Sequence, residues 1–264
     1  MAEAGVGGVD AAAEAPAAPQ RRGPSLTVRD YLEGTKDLAV STFFVVPLLL
    51  LYEVGIVAYG SELRNGADVL MKTMFSLLGP RGLFVFNLLL FGVMAAAAIR
   101  VLRRGKPVFA LYPVMMLESL AFAFVLPIAV EFVKRVVPLL ASGAAPAATE
   151  PWAVQLFLSV GAGVYEEALF RLGLLSLLLL LFERTFKFRK VPATILSVAI
   201  ASALFSGFHH VGPLGDAFDA ERFVFRFLAG VLLSALFLFR GFGVVVHTHA
   251  LYDVWVFFLR SSSS

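Results

Sequence analysis

Residues 152–182 read WAVQLFLSVGAGVYEEALFRLGLLSLLLLLF. A helix needs about 20 mostly apolar residues to cross a bilayer. This run is long enough to enter one and too long for a single perpendicular span. Gly161 and Gly163 divide it, so an interfacial helix followed by a spanning one is expected. The Leu-rich end lacks strand-like alternation, and backbone polar groups in lipid must be satisfied within the segment, which selects helix.

Working outward, six further apolar runs cover 38–59, 82–100, 108–133, 191–210, 222–239 and 243–259. The expected fold is all-α, a polytopic transmembrane helical bundle of about seven spans, with six and eight as the bounds. The run ADVLMKTMFSLL (67–78) is too short and too amphipathic to span, and reads as interfacial or re-entrant.

Composition agrees. Of 264 residues, 59% are hydrophobic and 16% charged, and mean hydropathy is +0.84. Counting Gly and omitting Tyr raises the apolar share to about 65%, against about 45–50% in soluble domains. A soluble domain of this size cannot hide so much apolar surface. A soluble enzyme, a disordered protein and a secreted disulfide scaffold are excluded. Zero Cys removes thiol nucleophiles, Cys-zinc sites, iron–sulfur clusters and disulfides. The net charge of +3 is not read as nucleic-acid binding, because in a membrane protein the position of Lys and Arg along the chain matters more.

Residues 1–35 are expected to be a disordered Ala/Pro-rich tail, with eight Ala and two Pro in the first 20 and no apolar run. Within its end, SLTVRDYLEGTKD (25–37) has the pattern of a short interfacial helix. A cleaved signal peptide is not expected, since no apolar stretch follows a basic start. Basic residues cluster at Arg100, Arg103, Arg104 and Lys106, and again at Arg184, Lys187, Arg189 and Lys190, while 138–151 has none. The positive-inside rule puts the two basic loops and the N-terminus in the cytoplasm. The expected location is the plasma membrane of a prokaryote.

Ionisable side chains inside spans are costly and mark function by default. They concentrate in the second half of this chain. GVYEEALFRLG (163–173) holds Glu166, Glu167 and Arg171. FSGFHHVG (205–212) holds His209 and His210, and VVVHTHALYDVW (244–255) holds His247, His249 and Asp253. These are all four His of the chain. Residues four apart share a helix face, which pairs Glu167 with Arg171, Phe205 with His209, and His249 with Asp253. Glu167–Arg171 reads as an intrahelical ion pair. Glu166 points elsewhere and has no local partner, which suits a general base for water.

EEALFR (166–171), FSGFH (205–209) and HALYD (249–253) resemble, in order, the EExxxR, FxxxH and HxxxN/D motifs of the CAAX-protease and bacteriocin-processing family of intramembrane proteases, the Rce1-like or Abi proteins. The resemblance covers 150–260. It leaves 36–149 as transmembrane helices without a motif. It implies an intramembrane endopeptidase acting on a membrane-anchored protein or peptide. Glu166 would activate water, and Glu167 would support it with Arg171 holding Glu167. His209 would position water or substrate, and His249 and Asp253 would stabilise the oxyanion or orient the site. An ionised Asp cannot donate to an oxyanion as Asn can, so orienting a His is the expected role of Asp253.

No cofactor is favoured; zinc on Glu166, His209 and His249 is the alternative, weakened by the lack of an HExxH run. His210 and His247 sit off the motif faces and read as decoys. Glu53, Glu118, Glu131 and Arg226 read as structural charges, with Arg226 a candidate partner for Glu118 or Glu131. Gly207, Gly212, Pro213 and Gly215 predict that the span breaks beside the His pair, opening a wet cavity. The catalytic reading requires Glu166, His209 and His249 to converge. A non-proteolytic membrane scaffold on the same fold is the alternative function; a transporter would spread its charges along a path instead. The bilayer is the one certain partner, no nucleic acid is expected, and nothing in the sequence sets the oligomeric state.

Overall fold

The protein is described by a computed structural model that covers residues 27–60, 64–136, 151–212 and 215–261. Residues 1–26 of the expected tail, most of the 138–151 loop, and Pro213 lie outside the described residues. Among the described residues there is no strand, and the chain is a polytopic helical bundle.

Helix α1 spans Val28–Lys36, so helix begins inside the stretch assigned to the tail. Thr27 caps it through a reciprocal capping box with Asp30, which satisfies two otherwise free backbone donors. Asp37 caps α2 (Leu38–Tyr59) by accepting from the backbone of Ala39 and Val40. Helix α3 (Gly66–Ser76) is the short amphipathic run, and α4 (Gly82–Arg104) follows it after a turn. One helical turn, α5 (Lys106–Phe109), leads into α6 (Leu111–Val136).

The opening stretch folds as one long rod. Regular α7 (Trp152–Gly161) passes into a π-helical segment, Ala162–Leu175, then α8 (Ser176–Leu180) and a second π turn to Thr185. Helix α9 (Lys190–Phe208) returns, and the chain turns at 209–212, where the glycines predicted a break. Helices α10 (Ala220–Arg240) and α11 (Phe242–Ser261) close the bundle.

Among the described residues, five helical stretches are long and apolar enough to cross a membrane: α2, α4, Leu111–Val133 of α6, α9 and α10. The two other expected spans are less regular. The rod 152–185 changes winding three times, and the apolar part of α11 is the shorter Phe242–Phe258.

The exposure pattern separates a lipid-facing shell from a centre. On α4, Phe84, Leu88 and Phe91 are each at least 60% exposed, an arrangement that only hydrocarbon solvates well. On α11 the seven residues Val244–Ala250 are all buried. These nearly two turns are the axis on which α2, α6, α7, α10 and the π segment pack. Gly241, at φ 86°, makes the tight reversal that feeds it, a conformation a side chain would strain.

The π segment meets α11 at Gly163. A Cβ there would lie 2.7 Å from the Ala250 methyl and 2.8 Å from the Val246 carbonyl oxygen. Small residues let membrane helices approach this closely. Gly163→Ala is expected to cost about 1–3 kcal/mol, as overpacking does. It should lower the unfolding midpoint in detergent while an Ala at the unhindered Gly92 does not.

Candidate active site

Glu166 and Glu167 are neighbours in the π segment and point to different partners. Both are buried, Glu167 completely. Glu167 Oε1 lies 2.9 Å from the Arg171 guanidinium, the ion pair predicted from the four-residue spacing. The same oxygen is 2.6 Å from His249 Nδ1, on α11. Glu166 instead faces α9 and α3. Its Oε2 lies 3.6 Å from His209 Nε2, and its Oε1 accepts a 3.0 Å hydrogen bond from Asn65 Nδ2.

Each imidazole is oriented by its other nitrogen. His209 ends α9, and its Nδ1 lies 2.8 Å from the Phe205 carbonyl. A carbonyl only accepts, so Nδ1 carries a proton and Nε2 is the atom turned to Glu166. At 3.6 Å the two atoms are too far apart for a direct hydrogen bond, and both can contact one water set beside them. His249 stands between two carboxylates: Nδ1 toward Glu167, and Nε2 3.6 Å from Asp253 Oδ2. That is where an orienting Asp253 would stand.

Phe205 ties the motifs together. The Arg171 guanidinium lies over its ring, 4.2 Å from the centroid, and His209 and His249 both present edges to it. The cation therefore gains a π face as well as a carboxylate while fully out of water.

The other two His lie elsewhere. His247 donates from Nδ1 to the Gly243 carbonyl, and its ring stacks on Phe44 with centroids 3.9 Å apart. His210 lies against Phe218, and neither ring nitrogen has a hydrogen-bond partner among the described residues. The suggested pairing of Arg226 with Glu118 is corrected. Arg226 bonds Asp216 in the α9–α10 loop at 2.6 Å, and this hydrogen bond helps hold the Asp216 carboxyl below its ordinary range. Glu118 pairs with Arg240 and accepts from Tyr31 at 2.6 Å. Spacing along one helix carries no information about which charge a different helix will present.

Two contributions from the first half of the chain were not read from the sequence. Asn65 stands just before the amphipathic run, and its contact with Glu166 joins residues 101 positions apart. Glu53, expected to pair structurally, accepts from the Tyr165 hydroxyl at 2.8 Å. It lines an open cleft of about 480 Å³, whose walls also include Arg64, Lys72 and Asn87.

Among the described residues, no three His, Cys, Asp or Glu side chains are arranged to hold a metal ion. Of the set named for zinc, His249 turns Nδ1 to Glu167, while its Nε2 lies 3.6 Å from Asp253 Oδ2.

A membrane-embedded bundle that buries a Glu–His pair beside a Glu–Arg–His triad has the makings of an intramembrane hydrolase. Comparison with known families agrees. Residues 148–255 match the family model described as "Type II CAAX prenyl endopeptidase Rce1-like". The protein is an integral membrane protein with a segment that resembles this protease family. No curated protein and no solved structure matches the chain.

Arg171 is 1% exposed, and removing one member of a buried pair costs about 3–5 kcal/mol. Arg171→Leu is therefore expected to lose most of its folded protein by size exclusion in detergent. His247→Phe keeps the stack on Phe44 and should leave both folding and cleavage at wild-type level.

Proposed function

We propose that the protein is an intramembrane endopeptidase that hydrolyses a peptide bond of a membrane-associated protein or peptide with a water activated by Glu166. The observation that carries this reading is the buried Glu166 carboxylate, held by Asn65 on one oxygen and facing His209 Nε2 across 3.6 Å with the other. A water beside this pair, in contact with both, gives its proton to Glu166 while its oxygen attacks the carbonyl carbon. The ring of His209, fixed by the Phe205 carbonyl, aligns the attacking water. Glu166 then passes the proton to the departing amine, so base and acid are one residue in sequence.

His249 supplies the donor for the oxyanion from Nε2, and its ring is held by Glu167, which Arg171 holds in turn. Asp253 aligns that ring from the other side. These steps need no thiol, serine or metal.

A positioned general base contributes about 10²–10⁴-fold. Glu166→Gln keeps the shape and the bond from Asn65, and is expected to reduce kcat at least about 10²-fold in the reconstituted protein. The substrates to compare are membrane-bound peptides that end in a CAAX sequence with and without a prenyl group on its cysteine, the class named by the family description. A chelator should leave the wild-type rate unchanged; stoichiometric zinc whose removal stops turnover would replace this mechanism. A cellular phenotype indifferent to Glu166→Gln would favour the scaffold.

The clusters at 100–106 and 184–190 support a cytoplasmic N-terminus in a prokaryotic plasma membrane. The chain has no Cys, so Arg103→Cys should react with an impermeant thiol reagent in inside-out vesicles and not in intact cells.

A further inference from the structure

The matched segment begins at 148, yet one oxygen of Glu166 is held by a residue from the region before it. Asn65 precedes α3 in extended conformation, and its Oδ1 accepts from the Ala67 backbone N–H at 2.8 Å. A cap oxygen must be an acceptor, which leaves the Nδ2 end of the amide free to point only one way. It points at Glu166 Oε1, 3.0 Å off. The orientation of this amide is thus decided by the helix it caps.

The backbone around Asn65 is anchored as well. Its N–H donates to the Tyr52 hydroxyl at 2.9 Å, and that hydroxyl donates to Asp68 Oδ2 at 3.1 Å. Asp68 is fully buried and pairs with Lys72 at 2.6 Å and Arg64 at 3.2 Å. Tyr52 is itself fully buried beneath Gly161, where a Cβ would lie 2.3 Å from its ring. The chain of contacts runs from the cleft cations through Asp68 and Tyr52 to Asn65, and ends on the carboxylate.

We infer that Asn65 is a positioning residue of the active site: it binds Glu166 Oε1 so that Oε2 alone faces His209 and the water the two would share. The hydrolytic machinery is therefore completed by residues 52–72 and is not contained in the matched segment 148–255. This rests on the reading of Glu166 as the base. It also explains why a carboxylate without a local helical partner can be held in one rotamer.

The test compares wild type, Glu166→Gln, Asn65→Ser and Asn65→Asp in the reconstituted full chain, with kcat, KM and the thermal midpoint measured for each. Ser and Asp both cap helices as well as Asn does. Ser is too short to reach Glu166, and Asp presents an acceptor where the N–H was. Both variants should keep the wild-type midpoint and KM within about twofold while kcat falls about tenfold or more, the size of one lost charge-assisted hydrogen bond. Asp, which sets a second carboxylate against Glu166, should fall further than Ser.

A purely structural Asn65 predicts the opposite, two silent variants, because the cap is kept. Wild-type kcat in Asn65→Ser with Glu166→Gln inactive overturns the inference and leaves the base reading standing. Full activity in Glu166→Gln overturns both.

Discussion

A carboxylate that touches no water must be paired or lose its charge, because the several kcal/mol of lost hydration has to come back from close partners. Glu167 is 0% exposed and Arg171 is 1% exposed. Around their contact at 2.9 Å the neighbouring helices add one partner to each group, His249 from α11 to Glu167 and the Phe205 ring from α9 to Arg171. Three helices are brought to one point by the need to satisfy two charges. The rest of the C-terminal half is arranged about that point.

A second buried cluster pins the other end of the same axis. Arg240, at the last turn of α10, pairs with Glu118 of α6 and donates to Thr35 of α1 at 3.1 Å. Tyr31 joins through the same Glu118. Because Gly241 reverses the chain just after Arg240, this cluster sets where α11 begins. Ser119 bonds the Val244 carbonyl and Thr248 the Ser119 carbonyl, so α6 also fixes the rotation of α11. That rotation aims His249 at Glu167 and His247 at Phe44. Two His separated by one residue thus come to serve different purposes, one in the site and one in the packing.

The π winding contributes to the same end. With more residues in each turn than an α-helix, the segment Ala162–Leu175 is wider and looser, and such turns are frequent at functional sites. Here the neighbouring Glu166 and Glu167 reach partners on opposite sides, α3 and α9 for one and α11 for the other. The shape suits a site that needs one carboxylate locked by a cation and its neighbour left facing a gap.

Much was legible from local pattern. Apolar runs located the helices closely, with 38–59 matching α2. Four-residue spacing found the Glu167–Arg171 pair, and the glycines after Phe208 found the break in α9. These are properties of a residue and its near neighbours, and bilayer length and helix period translate them directly into structure. The sequence by itself determined that the chain is a helical membrane protein with its ionisable groups gathered in three motifs. Only the tertiary structure decided the partners: Asp216 for Arg226, Arg240 for Glu118, Phe44 for His247 and Asn65 for Glu166. Each depends on the rotation and depth of one helix against another. Those are set by contacts such as Gly163 on Ala250, between residues whose separation along the chain carries no period to read.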